Sequence, residues 1–212
     1  MKGLLQNKTI LILGGTGGMG FAAAQAMLDQ GARVLVTGRD QSDVEVINSQ
    51  GHSSLYAISQ DATIPGNAEL AIEECNLRFG QIHGMFHVAG SSGRAFGDGP
   101  LHEMSDEGWD KTLDINLKAI MMSNRAIIRY WMGLNTQGSI LNIGSILGVS
   151  PSPKYFYTHA YAAAKAGVIG FSKAIASYYA SYNIRVNVLV PSLINTPMSQ
   201  RAMNNDEIMH FI

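Results

Sequence analysis

Residues 8–28 read KTILILGGTGGMGFAAAQAML, and this stretch decides the fold class. The aliphatic run Thr9–Leu13 has the length and composition of a buried β-strand. A loop rich in glycine follows it, and an apolar helical pattern over residues 18–30 follows the loop. A strand, a glycine turn and a helix in this order predict the start of a βαβ unit.

The same alternation continues along the rest of the chain. Further strands are predicted at 33–37, 55–58, 82–88, 139–143 and 184–190, and helices at 42–49, 66–79, 105–132 and 159–182. Strands that alternate with helices are joined by crossovers, which build a parallel sheet covered on both faces. With 212 residues, 46% of them hydrophobic, the chain can bury one sizeable core. We therefore predict an α/β, doubly wound (Rossmann) fold with residues 1–212 in a single domain.

The composition excludes several classes of partner. A net charge of -1 provides no basic excess for nucleic-acid phosphates or anionic lipid. Cys75 is the only cysteine, so neither a disulfide framework nor a cysteine-rich metal site is expected. The sequence begins without a signal-peptide pattern and has no run of about 18 apolar residues. We expect a soluble, cytoplasmic protein that binds neither nucleic acid nor membranes.

Charged residues make up only 15% of the chain, which is low for a soluble domain and suggests that other subunits cover part of its surface. The predicted helices 105–132 and 159–182 also carry more apolar residues than one sheet face can bury. We expect these helices to pair subunits in a homodimer or homotetramer.

The glycine loop at residues 14–20 is suited to a diphosphate. Glycine lets a ligand approach the backbone closely, and the start of the following helix offers free N–H donors and a favourable dipole. No lysine followed by serine or threonine comes after the loop, so a nucleoside triphosphate P-loop fits poorly. The loop is interpreted as a dinucleotide site; the alternative is a tight turn without a ligand.

The end of the second strand, Val36-Thr-Gly-Arg-Asp40, discriminates between the two nicotinamide dinucleotides. Arg39 offers a guanidinium suited to a 2′-phosphate, which favours NADP. Two alternatives stay open: Arg39 is a solvated turn residue paired with Asp40 or Asp43, or Asp40 turns toward a ribose and NAD is preferred. Asp61, just past the third strand, is a candidate acceptor for the adenine amino group or a helix or turn cap.

Tyr161 and Lys165 stand four residues apart in a helical pattern, so their side chains share one face. An ammonium near a phenol favours the phenolate, and we expect it to lower the pKa of Tyr161 and make a usable general acid and base. Taken alone, such a pair is also compatible with an ordinary surface contact. Ser145 follows the fifth strand, where its hydroxyl could donate to a substrate oxygen. Asn116 lies within a long predicted helix, where asparagine is a mediocre helix former, and is expected to have a specific partner, either a water or a backbone carbonyl.

These residues resemble the short-chain dehydrogenases/reductases over residues 8–198. The family's T-G-x-x-x-G-x-G motif is similar to residues 13–20, with Leu13 in place of threonine. The family's Asn-Ser-Tyr-Lys catalytic set is similar to Asn116, Ser145, Tyr161 and Lys165, which occur in the expected order.

The resemblance implies a role for each of these residues. Tyr161 would protonate or deprotonate the substrate oxygen, Ser145 would orient it, Lys165 would also hold the nicotinamide ribose, and Asn116 would hold a water of the proton relay. The residues expected to contact the dinucleotide are Gly14, Thr16, Gly17, Gly18, Met19, Gly20, Arg39, Asp61, Ala62, Ala89, Gly90, Tyr161, Lys165, Pro191, Ile194 and Thr196. No metal site is expected.

The sequence departs from the family pattern in several further places. The Asn-Asn-Ala-Gly segment of the family appears as His87-Val-Ala-Gly90, without either amide. The loop between Ser145 and Tyr161 is longer than usual and is interpreted as a wall of the substrate pocket. Relatives commonly continue past the position of Ile212 into a seventh strand, so either this sheet edge is missing or the sequence is incomplete.

The sequence therefore predicts an NADP-dependent oxidoreductase that transfers a hydride between nicotinamide and a carbonyl or secondary alcohol, with NAD as a possible cofactor. The alternative is a catalytically silent dinucleotide-binding regulatory or scaffold protein of the same fold. The altered His87 segment and the missing edge motivate that alternative.

Overall fold

A computed structural model describes residues 3–211 of the chain. Met1, Lys2 and Ile212 lie outside the described residues, so the extension of the single domain over 1–212 remains a prediction. Within the described part, six strands form one sheet in the order β3-β2-β1-β4-β5-β6, and every adjacent pair is parallel. This is the strand order of dinucleotide-binding Rossmann folds, and it confirms the predicted fold class. The strands are β1 (Thr9–Leu13), β2 (Arg33–Gly38), β3 (Leu55–Ser59), β4 (Gly84–His87), β5 (Gly138–Ile143) and β6 (Ile184–Leu189).

Helices cover both faces of the sheet because successive residues of each strand point to opposite sides. On one face, Ile12 and Val36 pack with the helices α1 (Gly18–Asp29) and α2 (Gln41–Ser49). On the other face, Leu11 and Leu35 pack with α3 (Asn67–Phe79), α5 (Ala119–Gly133) and α6 (His159–Tyr179). The central strand β1 is buried along its whole length, as the two-sided apolar pattern predicts.

Several predicted boundaries were wrong. The strand predicted at 82–88 is paired only over Gly84–His87. The helix predicted at 105–132 consists of α4 (Asp106–Leu113), a π-helical turn (Asp114–Lys118) and α5. The helix predicted at 159–182 ends at Tyr179, and a short 3₁₀ turn (Ala180–Tyr182) carries the chain to Asn183, whose φ of 56° ends the helical path.

Two short helices that were not predicted follow β6, α7 (Gln200–Met203) and α8 (Asp206–Phe211). A seventh strand is not found among residues 3–211. None of the described helices is both long and apolar enough to cross a membrane. In the same part of the chain, the acidic, histidine and cysteine side chains form no group of three that could hold a metal ion.

Candidate active site

A cavity of about 530 Å³ opens at the carboxyl edge of the sheet, where ligands bind in open α/β folds. The segments that follow β1, β4, β5 and β6 all contribute to its lining, as does the first part of α6. Nine of the residues predicted from the sequence line it together: Met19, Gly90, Asn116, Ser145, Tyr161, Lys165, Pro191, Ile194 and Thr196. The fold therefore brings together residues from six separate stretches of sequence.

The glycine loop beside this cavity needs its glycines for steric reasons. A Cβ atom on Gly20 would lie 2.2 Å from the carbonyl oxygen of Gly14, so the loop could not close against the start of α1. Gly14 and Gly18 have φ values of 85° and 51°, which glycine adopts without strain. Gly17 is the N-cap of α1, and no side chain caps the helix there. The first N–H groups of α1 are thus left for a ligand at the helix start.

The edge beyond β2 and β3 holds the residues predicted to bind the adenosine end. Arg39 follows Gly38, is exposed, and makes no ion pair with Asp40 or Asp43 in the described structure. The Asp40 carboxylate instead caps α2, accepting from the backbone N–H and the hydroxyl of Ser42 at 2.9 and 2.8 Å. These hydrogen bonds lower the pKa of Asp40.

The turn after β3 holds two more of the predicted residues. The Asp61 carboxylate accepts from the N–H and hydroxyl of Thr63, so it acts as a turn cap. Ala62, next to it, is half-buried. Neither residue lines the cavity.

Lys165 is the most deeply buried charged side chain of the site, with 2% of its surface exposed. Its Nζ donates to the carbonyl oxygen of Ile143 at 3.1 Å. An ammonium carries three N–H donors, so two remain for other acceptors in the cavity. Burial lowers the pKa of Lys165 to about 7, because the interior disfavours the charged form.

Tyr161 lies one helical turn before Lys165, and the Lys165 Nζ is 5.5 Å from the centre of its ring. We expected the ammonium to lower the pKa of the phenol, and this expectation was wrong. Burial raises the pKa of Tyr161, and the neighbouring Ser145 hydroxyl offsets the rise only in part. The phenol therefore carries its proton at neutral pH.

Ser145 is held at the end of β5 by the backbone around it. Its hydroxyl oxygen accepts from the Leu147 N–H at 3.2 Å and so caps the 3₁₀ turn Ile146–Gly148. The side chain is 7% exposed and faces the cavity beside Tyr161. This cap fixes the hydroxyl at the place where the strand opens into the site.

Asn116 sits in the π-helical turn between α4 and α5 and is fully buried. Its side-chain amide donates to the carbonyl oxygens of Ser91 and Thr112 at 2.8 and 3.0 Å and accepts from the Ser91 N–H at 3.2 Å. In an α-helix the Thr112 carbonyl would receive the backbone N–H of Asn116. The wider π turn frees that carbonyl for the side chain, so Asn116 ties the loop after β4 to the helix. The expected specific partner is thus backbone.

Asp98 was not predicted, and it holds the start of α6. Its two carboxylate oxygens accept from the N–H groups of Ala160 and Tyr161 at 3.0 and 2.9 Å. Thr158, the N-cap residue of α6, makes no side-chain cap. The helix that carries Tyr161 and Lys165 is therefore capped from a distant loop. Local sequence could not reveal this cap because the two partners lie more than sixty positions apart.

His87 fills the position where the family pattern has an asparagine. It is fully buried, with Nδ1 2.7 Å from the Ser123 hydroxyl, while Nε2 has no hydrogen-bond partner within residues 3–211. Burial, followed by the charge of Lys165, lowers the pKa of His87 to about 3. The side chain is therefore a neutral imidazole, and it is buried next to Ser123 outside the cavity lining.

The remaining predicted residues lie outside the cavity lining. Gly14, Thr16, Gly17, Gly18, Gly20 and Ala89 form or support the glycine loop, where Ala89 packs directly against Gly14. Arg94 and Arg201 line the cavity but were missed, because nothing in their spacing relates the loop after β4 to α7. The proline-containing loop 150–157 also lines it, as predicted for a pocket wall.

Comparisons with known proteins agree with this geometry. A family model described as short chain dehydrogenase matches residues 8–207. A Chlamydia trachomatis protein named 3-oxoacyl-(acyl-carrier-protein) reductase FabG is 33% identical over 209 residues, which cover 97% of this chain and 81% of that protein. The Escherichia coli protein of the same name is 31% identical over 202 residues, covering 95% and 79%.

Two further proteins broaden the comparison. A Pyricularia oryzae protein named short-chain dehydrogenase/reductase ABA4 is 35% identical over 202 residues, covering 93% of this chain and 72% of that protein. The crystal structure of gox2181 superposes with a TM-score of 0.88 at 26% sequence identity, covering 98% of this chain and 80% of that chain.

Proposed function

Because the chain belongs to the short-chain dehydrogenase/reductase family and is thus an NAD(P)-dependent oxidoreductase, we propose that it reduces a ketone with NADPH, with Tyr161 as the proton donor. One observation carries the proposal: Asn116, Ser145, Tyr161 and Lys165 line a single cavity that also reaches the glycine loop at Met19. The reverse reaction, oxidation of a secondary alcohol, uses the same groups.

The residues present fit a nicotinamide dinucleotide. The uncapped start of α1 and the glycine cradle suit a diphosphate. The two unused donors of Lys165 suit ribose hydroxyls. Thr196 lies close enough to the glycine loop that a Cβ on Gly18 would be 3.6 Å from its methyl group, so the segment after β6 can cover the same ligand. A bound nicotinamide would supply or accept the hydride.

The chain's own groups account for the proton. A raised phenol pKa keeps the proton on Tyr161, where it can be delivered to a carbonyl oxygen that the Ser145 hydroxyl polarises. Lys165, with a pKa of about 7, can give up or take up a proton near neutrality. Asn116 braces the loop that faces them. The names of the FabG relatives, both reductases, support the direction of reduction.

The Tyr161→Phe variant tests the proposed proton donor. Removing the hydroxyl should abolish turnover of a panel of ketones, because Tyr161 is the proposed source of the proton that the substrate oxygen receives, while NADPH binding stays nearly unchanged. Tyr178→Phe, on the exposed side of the same helix, serves as the control and should keep full activity. Near-normal turnover in Tyr161→Phe would refute the role. Tight NADP binding with no hydride transfer in the wild type would instead favour the silent scaffold protein.

A preference for NADP is proposed from Arg39. Asp40 is engaged as a helix cap and Arg39 has no ion pair within residues 3–211, which supports a 2′-phosphate beside the guanidinium. Replacing Arg39 with Ala should weaken NADP binding about tenfold or more, since charge-assisted hydrogen bonds are lost, and should leave NAD binding unchanged. Lys173→Ala, an exposed cation on α6, controls for net charge. Equal losses for both dinucleotides would contradict the assignment.

The protein is also proposed to act in the cytoplasm as a homodimer or homotetramer on a small carbonyl or alcohol substrate. Apolar surface on the predicted pairing helices supports association, since Trp109, Met132 and Tyr178 are 38%, 42% and 66% exposed. Light scattering at micromolar concentration should give at least a dimer mass. A monomer would count against pairing through α4, α5 and α6.

A further inference from the structure

The cavity is strongly biased toward positive charge. Among the described residues that line it, three are cationic, Arg94, Lys165 and Arg201, and none is acidic. The proposed mechanism uses Lys165 but leaves both arginines without a role. Two guanidinium groups at the mouth of a catalytic cavity require an explanation, because like charges repel and partial burial disfavours the charge of Arg94.

The two arginines come from different segments and converge on one atom. Arg94 begins the 3₁₀ turn Arg94–Phe96 in the loop after β4, and Arg201 lies on α7. Their guanidinium groups donate to the carbonyl oxygen of Tyr155 at 2.9 and 3.1 Å. Burial, followed by the charge of Arg201, lowers the pKa of Arg94. A carbonyl carries no net charge, so it accepts hydrogen bonds but does not neutralise the pair.

Two acidic side chains of this region have other hydrogen-bond partners, although the charge of Asp98 offsets part of the lowering of the Arg94 pKa. Asp98 caps α6 through both of its carboxylate oxygens. Glu207 bonds to the Tyr155 hydroxyl and the Lys154 ammonium. No carboxylate within residues 3–211 forms an ion pair with either arginine.

Aromatic rings hold the guanidinium groups in place. Arg94 lies over Tyr157 and Arg201 over Phe156, with distances of 5.4 and 5.8 Å to the ring centres. Such stacking uses the face of a guanidinium and leaves its in-plane N–H donors for other partners. The planar donor fork matches the oxygen geometry of a carboxylate or a phosphate.

We propose that the substrate is an anionic carbonyl compound whose carboxylate or phosphate binds Arg94 and Arg201 while its carbonyl faces Tyr161 and Ser145. This inference rests on the proposed function and specifies its substrate class. The arginines act in binding and specificity, not in the proton transfer.

Matched substrate pairs provide the test. The acids 3-oxobutanoate, 4-oxopentanoate and 6-oxoheptanoate are compared with their methyl esters, and dihydroxyacetone phosphate with dihydroxyacetone, all with NADPH. The wild type should prefer the acids or the phosphate over the neutral partner by at least tenfold in kcat/KM. The substrate pair with the larger preference shows whether the site takes a carboxylate or a phosphate. Arg94→Gln with Arg201→Gln should remove that preference by raising KM for the anion, with a much smaller change in turnover of the neutral partner.

Three controls keep the result specific. Arg125→Gln, an exposed cation on α5, should retain the preference. Arg94→Lys should retain part of it because charge is kept and the fork is lost. If the double variant does not fold, Arg201→Gln alone decides the test, since Arg201 is exposed and its loss leaves Arg94 on the Tyr155 carbonyl.

A binding measurement separates this proposal from the proposed function. Calorimetry with 4-oxopentanoate, its methyl ester and inorganic phosphate, in the presence of NADP, should show anion binding that the double variant loses. Turnover of neutral ketones without any preference or binding of anions would overturn the subsite and leave the reductase intact. Arginine-dependent anion binding without turnover would support the subsite and refute the reductase. Weaker NADPH binding in the double variant would assign the arginines to the cofactor and overturn the proposal.

Discussion

Replacing Asp98 with Ala should destabilise the protein strongly and impair the site at the same time. The carboxylate is 5% exposed and accepts two backbone hydrogen bonds at the start of α6. Hydrogen bonds to a charged group contribute about 1.5–3 kcal/mol each, and the negative charge also complements the helix dipole. Water entering the vacated space would recover part of this, so we expect a loss of about 3–4 kcal/mol from a total of about 5–15.

Urea denaturation measures this loss. With a slope of about 2 kcal/mol per molar urea, the midpoint should fall by about 1.5–2 M with the slope unchanged. Asp98→Asn keeps one acceptor oxygen and should lose about half as much. Asp110→Ala, an exposed carboxylate on α4, is the matched control and should shift the midpoint little.

Activity provides the second readout for Asp98. Because the same carboxylate binds the Tyr161 N–H, ketone turnover by Asp98→Ala should fall even at temperatures where the variant is fully folded. A midpoint shift below about 0.3 M urea would refute the reasoning, since it would mean that α6 does not depend on this cap.

Four other perturbations have defined outcomes. The pKa of Lys165 is about 7 in the folded protein against 10.5 ordinarily, so the unfolded chain binds more protons between these two pH values. The free energy of unfolding should therefore rise by a few kcal/mol at most from pH 7 to 10. In chemical denaturation, Lys165→Met should make the free energy of unfolding depend less on pH over this range. The pKa of His87 is about 3 in the folded protein against 6.5 ordinarily, so its contribution should destabilise the protein as pH falls from 6.5 toward 3. The test is the difference in free energy of unfolding between the wild type and His87→Asn, measured across this pH range. A difference that does not change with pH would contradict the burial argument. A Cβ on Gly138 would lie 2.3 Å from the Trp131 ring, so Gly138→Ala should lower stability by about 1–3 kcal/mol in thermal unfolding. Gly170→Ala meets open space on α6 and should raise stability by about 0.5–1 kcal/mol instead.

The parts of the fold that could be predicted are those set by local pattern. Most strands of the sheet are short and rich in aliphatic residues, and the glycine loop stands where a strand meets a helix, so alternation alone predicts the parallel sheet. Helix ends were less accessible. The helix predicted at 105–132 contains a π turn because Asn116 bonds to Ser91, a partner on a loop that helical periodicity does not report.

The site was predicted through spacing and resemblance, and the errors have one physical origin. The Tyr161–Lys165 spacing predicts a shared helix face correctly, but the direction of the phenol pKa depends on burial, which spacing does not contain. Asp98, Arg94 and Arg201 were missed for a similar reason. Their partners are backbone atoms or rings on distant loops.

The π turn at Asp114–Lys118 also limits which residues can be deleted from this protein. One residue of an α-helix corresponds to about 100° of rotation, so deleting a single residue here would restore a regular helix and swing the Asn116 amide away from the Ser91 loop. The helix α5 and the elements after it would have to rotate by the same angle, or the neighbouring backbone would have to distort. Deleting a residue to make this helix regular would therefore displace a side chain of the candidate active site. Protein engineering that regularises helices should leave this π turn unchanged.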